Sequence, residues 1–287
     1  VIEYATQNWL ATVLRVRGTV LPRVIGRTIA VGLLTVGLIL LRQHTTLQLA
    51  IPGTAHAMVG VALGLLLVFR TNASYARYWE GRILIGGVVS NCRDLARQCA
   101  AYLPHLGSKE RQQLASEITS FGAVLSAYLR NESTVEAASE HVGERAAELE
   151  GLEGPPLRII AWLGQRFTAE ANSGALTELR LQTLEQTLSD LVDLWSGCER
   201  ILRTPVPFAY AHHIKSFLTI FCFTAPFTMI GSMGWYAPAA AAVVAFGLYG
   251  IDEIGVEIEE PFGRDPNDLP LDAIVETIGL NVRESLS

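Results

Sequence analysis

Three stretches of the chain are almost free of charge. Thr28 to Leu41 reads TIAVGLLTVGLILL, with Arg23 and Arg27 before it and Arg42 closing it. Thr45 to Phe69 holds no Asp, Glu, Lys or Arg, and its second half, AMVGVALGLLLVF, is almost wholly aliphatic. Between Lys215 and Asp252 there is again no ionised side chain. One spanning helix needs about 20 apolar residues. The third run is long enough for two, and the helix-ending cluster GSMGWYAP, Gly231 to Pro238, divides it. The pattern predicts four transmembrane helices, over 24–43, 52–74, 214–232 and 237–255. The first run is short for a full crossing, so its flanking side chains are expected to snorkel.

From about residue 83 to 205 the period stays helical but the pattern becomes that of a soluble protein. Ser108 is placed to cap a helix in which Leu114, Ile118, Phe121, Leu125 and Leu129 recur at steps of three and four. ESTVEAASEHVGERAAELE is polar all round, so it reads as an exposed helix or a mobile excursion, broken by Gly154-Pro155-Pro156. A later helix carries Leu181, Leu184, Leu188, Leu191, Trp195, Cys198 and Leu202 on one face and ends before Pro205 and Pro207. No alternating strand pattern of useful length and no internal repeat occurs. The fold class is all-α. Four regions follow: 1–82 with the first two membrane helices, a cytosolic helical region at 83–205, the second membrane pair at 206–255, and a cytosolic C-terminal segment at 256–287.

Arginine sets the orientation. Arg15, Arg17, Arg23 and Arg27 precede the first membrane helix, and Arg70, Arg77 and Arg82 follow the second. The first connection holds only Arg42, and the turn between the last two helices holds no charge. The positive-inside rule then puts both termini and the long middle segment in the cytoplasm.

Composition agrees with a chain part membrane and part soluble. Charged residues make up 17% and AVILMFWYC 50%, with mean hydropathy +0.31. A net charge of −6 leaves no basic excess to neutralise phosphates, which argues against nucleic acid as a partner. Cys92, Cys99, Cys198 and Cys222 form no CxxC pair; Cys92 and Cys99, seven apart, read as core packing on one helix face. The six histidines carry no HExxH and no metal-ligand spacing, and there is no GxSxG and no phosphate loop. His56 lies in a hydrophobic run near a helix end, where a hydrogen-bonded interfacial histidine is the expected reading.

The second hydrophobic helix says more. Val61, Leu65 and Phe69 fall four apart on one face. Gly60 and Gly64 make a GxxxG pair on the adjacent face, where bare backbone lets a neighbouring helix approach closely. By itself the stripe reads as a face turned to lipid or core. The residues that follow change this: Phe69-Arg-Thr-Asn-Ala-Ser-Tyr-Ala-Arg-Tyr-Trp-Glu-Gly-Arg82 packs three arginines, a glutamate and aromatics into a membrane-helix exit. It resembles the segment after the second helix of bacterial bestrophins. Arg17-Gly-Thr-Val20, Arg203-Thr-Pro-Val-Pro-Phe-Ala-Tyr-Ala-His-His213 and Glu260-Pro-Phe-Gly-Arg-Asp-Pro-Asn-Asp268 match in order, so the resemblance spans essentially the whole chain.

The resemblance implies a homopentamer around a central pore, four transmembrane helices per subunit, a large cytosolic helical bundle, and residence in a bacterial inner membrane. It places a hydrophobic neck on Val61, Leu65 and Phe69 and a cytosolic aperture on Leu179. The neck is expected to be somewhat wider than in relatives that carry Ile or Phe there. Animal relatives clasp calcium with a run of acids after the Pro-Phe-Gly. Here Arg264, Pro266 and Asn267 interrupt it, so Glu260, Asp265 and Asp268 are the candidates for a divalent cation, against a reading as solvated acids with Arg264 as a pairing partner. No cofactor is otherwise required.

The function expected is a channel for monovalent ions. A dry constriction of apolar rings gates without any titratable group. The net charge and the carboxylates near the cytosolic ends of the first and last membrane helices lean the expectation to cations such as sodium, with chloride or another anion as the alternative. A membrane-bound enzyme using Asp252, Glu253, Glu257 and His212 or His213 is the remote alternative; no nucleophile or metal motif accompanies these residues, so the chain is expected not to be an enzyme.

Overall fold

A computed structural model describes residues 9–45 and 51–287. Among these residues there are helices, turns and irregular segments and no strand. In chain order the helices are α1 (Trp9–Leu14), α2 (Leu21–His44), α3 (Gly53–Tyr102), α4 (Ser108–Leu129), α5 (Thr134–Val142), α6 (Pro155–Asn172), α7 (Glu178–Arg203), α8 (Phe208–Met233), α9 (Ala237–Glu257) and α10 (Leu271–Leu286). They form two compact units. One is residues 1–78 with 205–260 and 265–267; the other is 79–204 with 261–264 and 268–287.

The first unit contains the apolar helices. Its core draws Val24 and Val31 from α2, Leu63 and Leu67 from α3, Leu218 and Phe221 from α8, and Ala241, Ala245 and Tyr249 from α9. A second cluster joins Leu38 and Ile39 of α2 to Ile230 and Ala237. Alanine on α9 lets α2 lie close, and the outward faces carry Ile29, Leu33, Ile220 and Val243, all exposed. Such faces suit lipid, where apolar side chains need no cover. At 24 residues α2 is about 36 Å long, a full crossing. It exceeds the expected 24–43 because Pro22, at the start of the helix, is tolerated where no N–H is needed.

The helical stretch Phe208–Glu257, apolar between Lys215 and Asp252, covers 50 residues. That is about 75 Å of helix, over twice a bilayer core. It divides at Gly234–Tyr236, a single 3-10 turn in which Gly234 takes φ +54°, so it provides two crossings as the sequence pattern predicts. Arg42 donates to the carbonyl of Ile230 at 2.9 Å, satisfying one of the carbonyls left over at the end of α8.

The expected end of the second membrane helix at residue 74 is not observed. Helix α3 runs unbroken for 50 residues to Tyr102 and supplies residues to both units. No proline interrupts Gly53 to Tyr102, and Pro104 then disfavours helical backbone at Leu103. Loss of hydrophobicity at Arg70 therefore marks a change of environment and not a change of secondary structure.

In the second unit α4 is the centre: Leu114, Ile118, Phe121, Leu125 and Leu129 are all buried, as their spacing predicts. Gly107, not Ser108, is the capping residue, with Glu110 Oε2 accepting its N–H at 2.8 Å. The polar stretch after Asn131 is partly buried instead of exposed throughout. Ser133 caps α5, Gly143 takes φ +60° and ends it, and Ala138, Ala146 and Leu149 turn inward. On α7, Leu184, Leu188, Leu191, Trp195 and Cys198 are buried as predicted, but Leu202 is exposed and Ile201 takes the inward position. Two glycines let α7 meet the soluble part of α3: Leu194 lies against Gly87, and Leu84 against Gly197. The four cysteines are free and buried, and burial pushes the Cys198 thiol up to about 12.

Candidate functional site

Two faces of α3 behave oppositely. Leu63, Leu67, Arg70 and Ser74, at steps of four, three and four, are buried. Val61, Leu65 and Phe69 point the other way and are 68%, 56% and 63% exposed. Burial of one stripe thus fixes the rotation of the helix and presents the other. Leu179, in the first turn of α7, is 74% exposed. Among the described residues all four apolar side chains stay more than half exposed.

The GxxxG pair is split in its use. A Cβ on Gly60 would lie 3.0 Å from the Phe221 ring, so this glycine serves a close approach inside the protomer. Gly64 has nothing within 4 Å of that position. His56 beside them stacks on Phe221 at 4.0 Å between ring centres, with Nε2 3.2 Å from Thr224 Oγ1, the polar contact expected of an interfacial histidine.

The acids at the end of α9 are paired with arginine. Arg70 donates to Asp252, and both side chains are 2% exposed. Arg27 lies 3.3 Å from Glu253. Arg23 lies 3.6 Å from Glu257 and 3.1 Å from Asp265. Asn267 donates to Glu257 Oε1 at 2.6 Å and to the carbonyl of Gly18. These contacts correct the remote enzymatic reading: Asp252, Glu253 and Glu257 are committed to guanidinium partners, while His212 meets Ser216 and Phe208 and His213 stacks on Phe217. They also remove the ground for a cation-attracting vestibule, since a carboxylate matched by an arginine contributes little field at a distance.

The three candidate metal ligands do not gather. Asp265 is held by Arg23, Glu260 is exposed, and Asp268 is buried with its carboxylate against Gly263. Among the described residues no group of three or more His, Cys, Asp or Glu side chains could hold a metal ion. Arg264 reaches Glu132 with two nitrogens, one at 2.9 Å, and lies 3.3 Å from Asp272. Its hydrogen bond holds the Glu132 carboxyl below the usual carboxylate range.

Sequence reasoning missed the arginine–carboxylate network as a unit. A signal was present, because Arg70 ends one charge-free run and Asp252 ends another. Two helices crossing the same layer bring such ends together.

The Bacterial/Fungal Bestrophin protein family matches residues 2–284. The chain belongs to the bestrophin family. It is 37% identical over 287 residues to a voltage-dependent anion channel-forming protein of Nostoc sp., covering 99% of this chain and 93% of the relative. A protein of the same description from Synechocystis sp. is 32% identical over 280 residues, covering 96% and 91%. The fold superimposes on a bacterial bestrophin homologue from Klebsiella pneumoniae with TM-score 0.86 at 28% identity, covering 92% of this chain and 98% of the other. This bestrophin is therefore an all-helical membrane protein of a channel family and not an enzyme, as its motifs imply. The expectation of cation preference finds no support: the two relatives are named for anions.

Proposed function

We propose that this bestrophin is a homopentameric channel of the bacterial cell membrane that conducts monovalent ions, with anions preferred over cations. The observation that carries the reading is the stripe of Val61, Leu65 and Phe69, exposed while the opposite face of α3 is buried. Five copies about an axis turn it into three apolar rings spanning about 12 Å, a constriction that ions cross only while it stays wet. The face continues past Phe69 as Asn72, Ala73 and Ala76, all exposed, a change to small and polar side chains that suits water better than lipid. Leu179 forms a second, separate ring. Both termini and the helices of the second unit lie in the cytoplasm, which the arginines around α2 and α3 support.

Two facts support anions. The relatives at 37% and 32% identity are named as anion channel-forming proteins. The carboxylates of α9 that would draw cations are neutralised by Arg70, Arg27 and Arg23. Conduction needs no divalent cation at Glu260, Asp265 and Asp268, since Asp265 already has a guanidinium for a counterion. Purified protein in planar bilayers under a potassium chloride gradient, with a divalent chelator on both sides, tests the reading. The reversal potential should shift toward the chloride equilibrium value. A shift toward that of potassium overturns the anion assignment, and loss of current on chelation overturns the metal-free one.

A further inference from the structure

Behind the neck stripe, the buried face of α3 carries two hydrogen-bonding atoms with no partner. Arg70 gives one terminal nitrogen to Asp252 and has the other 3.8 Å from Glu259, yet its Nε is unpartnered. Ser74, one turn further, leaves its Oγ unpartnered as well. The Arg70 side chain is 2% exposed and Ser74 is fully buried. A buried polar group without a hydrogen bond is costly, and native structures rarely place two together.

Both atoms face one spot on α9. A Cβ added to Gly255 would stand 3.9 Å from Arg70 Nε, 3.9 Å from Ser74 Oγ and 3.9 Å from Thr71 Oγ1. Gly255 is in the last turn of α9 and has no positive φ, so the backbone does not demand glycine there. What the missing side chain provides is space.

We propose that Gly255 keeps open a buried site for one water molecule, held by Arg70, Ser74 and Thr71. The water accepts from Arg70 Nε–H and from the Ser74 hydroxyl. It donates to Thr71 Oγ1, whose own proton goes to the carbonyl of Leu67 at 2.9 Å. Three partners are typical of a structural water. An anion suits the spot poorly, because the Arg70 guanidinium already has Asp252 as its counterion and Glu259 at 3.8 Å. A cation suits it no better, because guanidinium nitrogens only donate. Since Arg70 follows Phe69 directly, the water ties α3 to α9 beside a neck residue; this consequence rests on the neck reading above, and the site itself does not.

Gly255→Ala and Gly255→Ser separate the site from plain helix propensity. At a helical residue, here in the last turn of α9, alanine is favoured over both glycine and serine. If a water is displaced, Gly255→Ala should unfold at a lower temperature than wild type in detergent. The hydroxyl of Gly255→Ser can occupy the water's place, so this variant should melt above Gly255→Ala. Alanine melting above serine, or above wild type, overturns the proposal. A wild-type structure at a resolution that shows waters should place density within hydrogen-bond distance of Arg70 Nε and Ser74 Oγ, and empty density there overturns it even if both variants fail to fold. Bromide-grown crystals with anomalous signal at the spot would replace water by a halide and overturn the assignment of the occupant. None of these readouts depends on ion flow, so the neck reading can fail while the site stands.

Discussion

Arg70 and Asp252 form an ion pair between α3 and α9 with both side chains 2% exposed. Placing two charges away from bulk solvent is costly unless each satisfies the other, so the pair stabilises one arrangement of the two helices more than it adds net stability. That arrangement is the one in which Leu63 and Leu67 face the core and Val61, Leu65 and Phe69 do not.

Removing one partner should therefore be worse than removing both. Arg70→Ala leaves Asp252 buried without its counterion, a loss of about 3–5 kcal/mol. Arg70→Met combined with Asp252→Leu should recover most of it. Thermal unfolding in detergent checks this. A double variant no more stable than the single one would mean that the two charges are independent.

The two glycines of the GxxxG pair should fail in different ways. Gly60→Leu drives bulk into the Phe221 ring and should damage the protomer itself. At Gly64 an added Cβ meets nothing within 4 Å among the described residues, so with Gly64→Leu the protomer should keep its helix content while the assembly comes apart. Native mass spectrometry beside circular dichroism distinguishes them. A pentamer that survives Gly64→Leu would take that face away from the subunit interface.

Acid should weaken the contact between Arg264 and Glu132. The folded Glu132 carboxyl titrates below its ordinary value of 4.5 because it accepts from Arg264. As pH falls below that ordinary value, the unfolded chain binds the proton before the folded one does. The stabilisation is thus complete above that pH and lost as pH drops through the lowered folded value. The side chains are well exposed, so the effect is small. Glu132→Gln should flatten the acid limb of the stability–pH curve, and an unchanged limb would assign it to other carboxylates.

Much of this was legible from periodicity. The buried faces of α4 and α7 and the split of the last apolar run follow from spacing, because burial selects residues three and four apart whatever the partner. The end of α3 was not legible, since a hydropathy fall at Arg70 signals leaving lipid and says nothing about the backbone, which nothing breaks before Pro104. The pairing of Arg23, Arg27 and Arg70 with the acids of α9 was visible only in where two charge-free runs end. It joins residues about 180 to 240 positions apart, so no local pattern encodes which arginine meets which acid. The motif after α9 misled in the same way: its acids read as a ligand run, yet Asp265 turns to Arg23 and Arg264 to Glu132.

The neck assignment is tested most directly by single-channel recording of the triple variant Val61→Ala, Leu65→Ala, Phe69→Ala. Alanine keeps the helix while removing the side chains that narrow the path. An apolar ring tight enough to shed water opposes an ion by several kcal/mol, so widening all three should raise open probability or unitary current. If the stripe faces lipid instead, the variant will change stability and leave the current through each channel as it was, and that result would contradict the account.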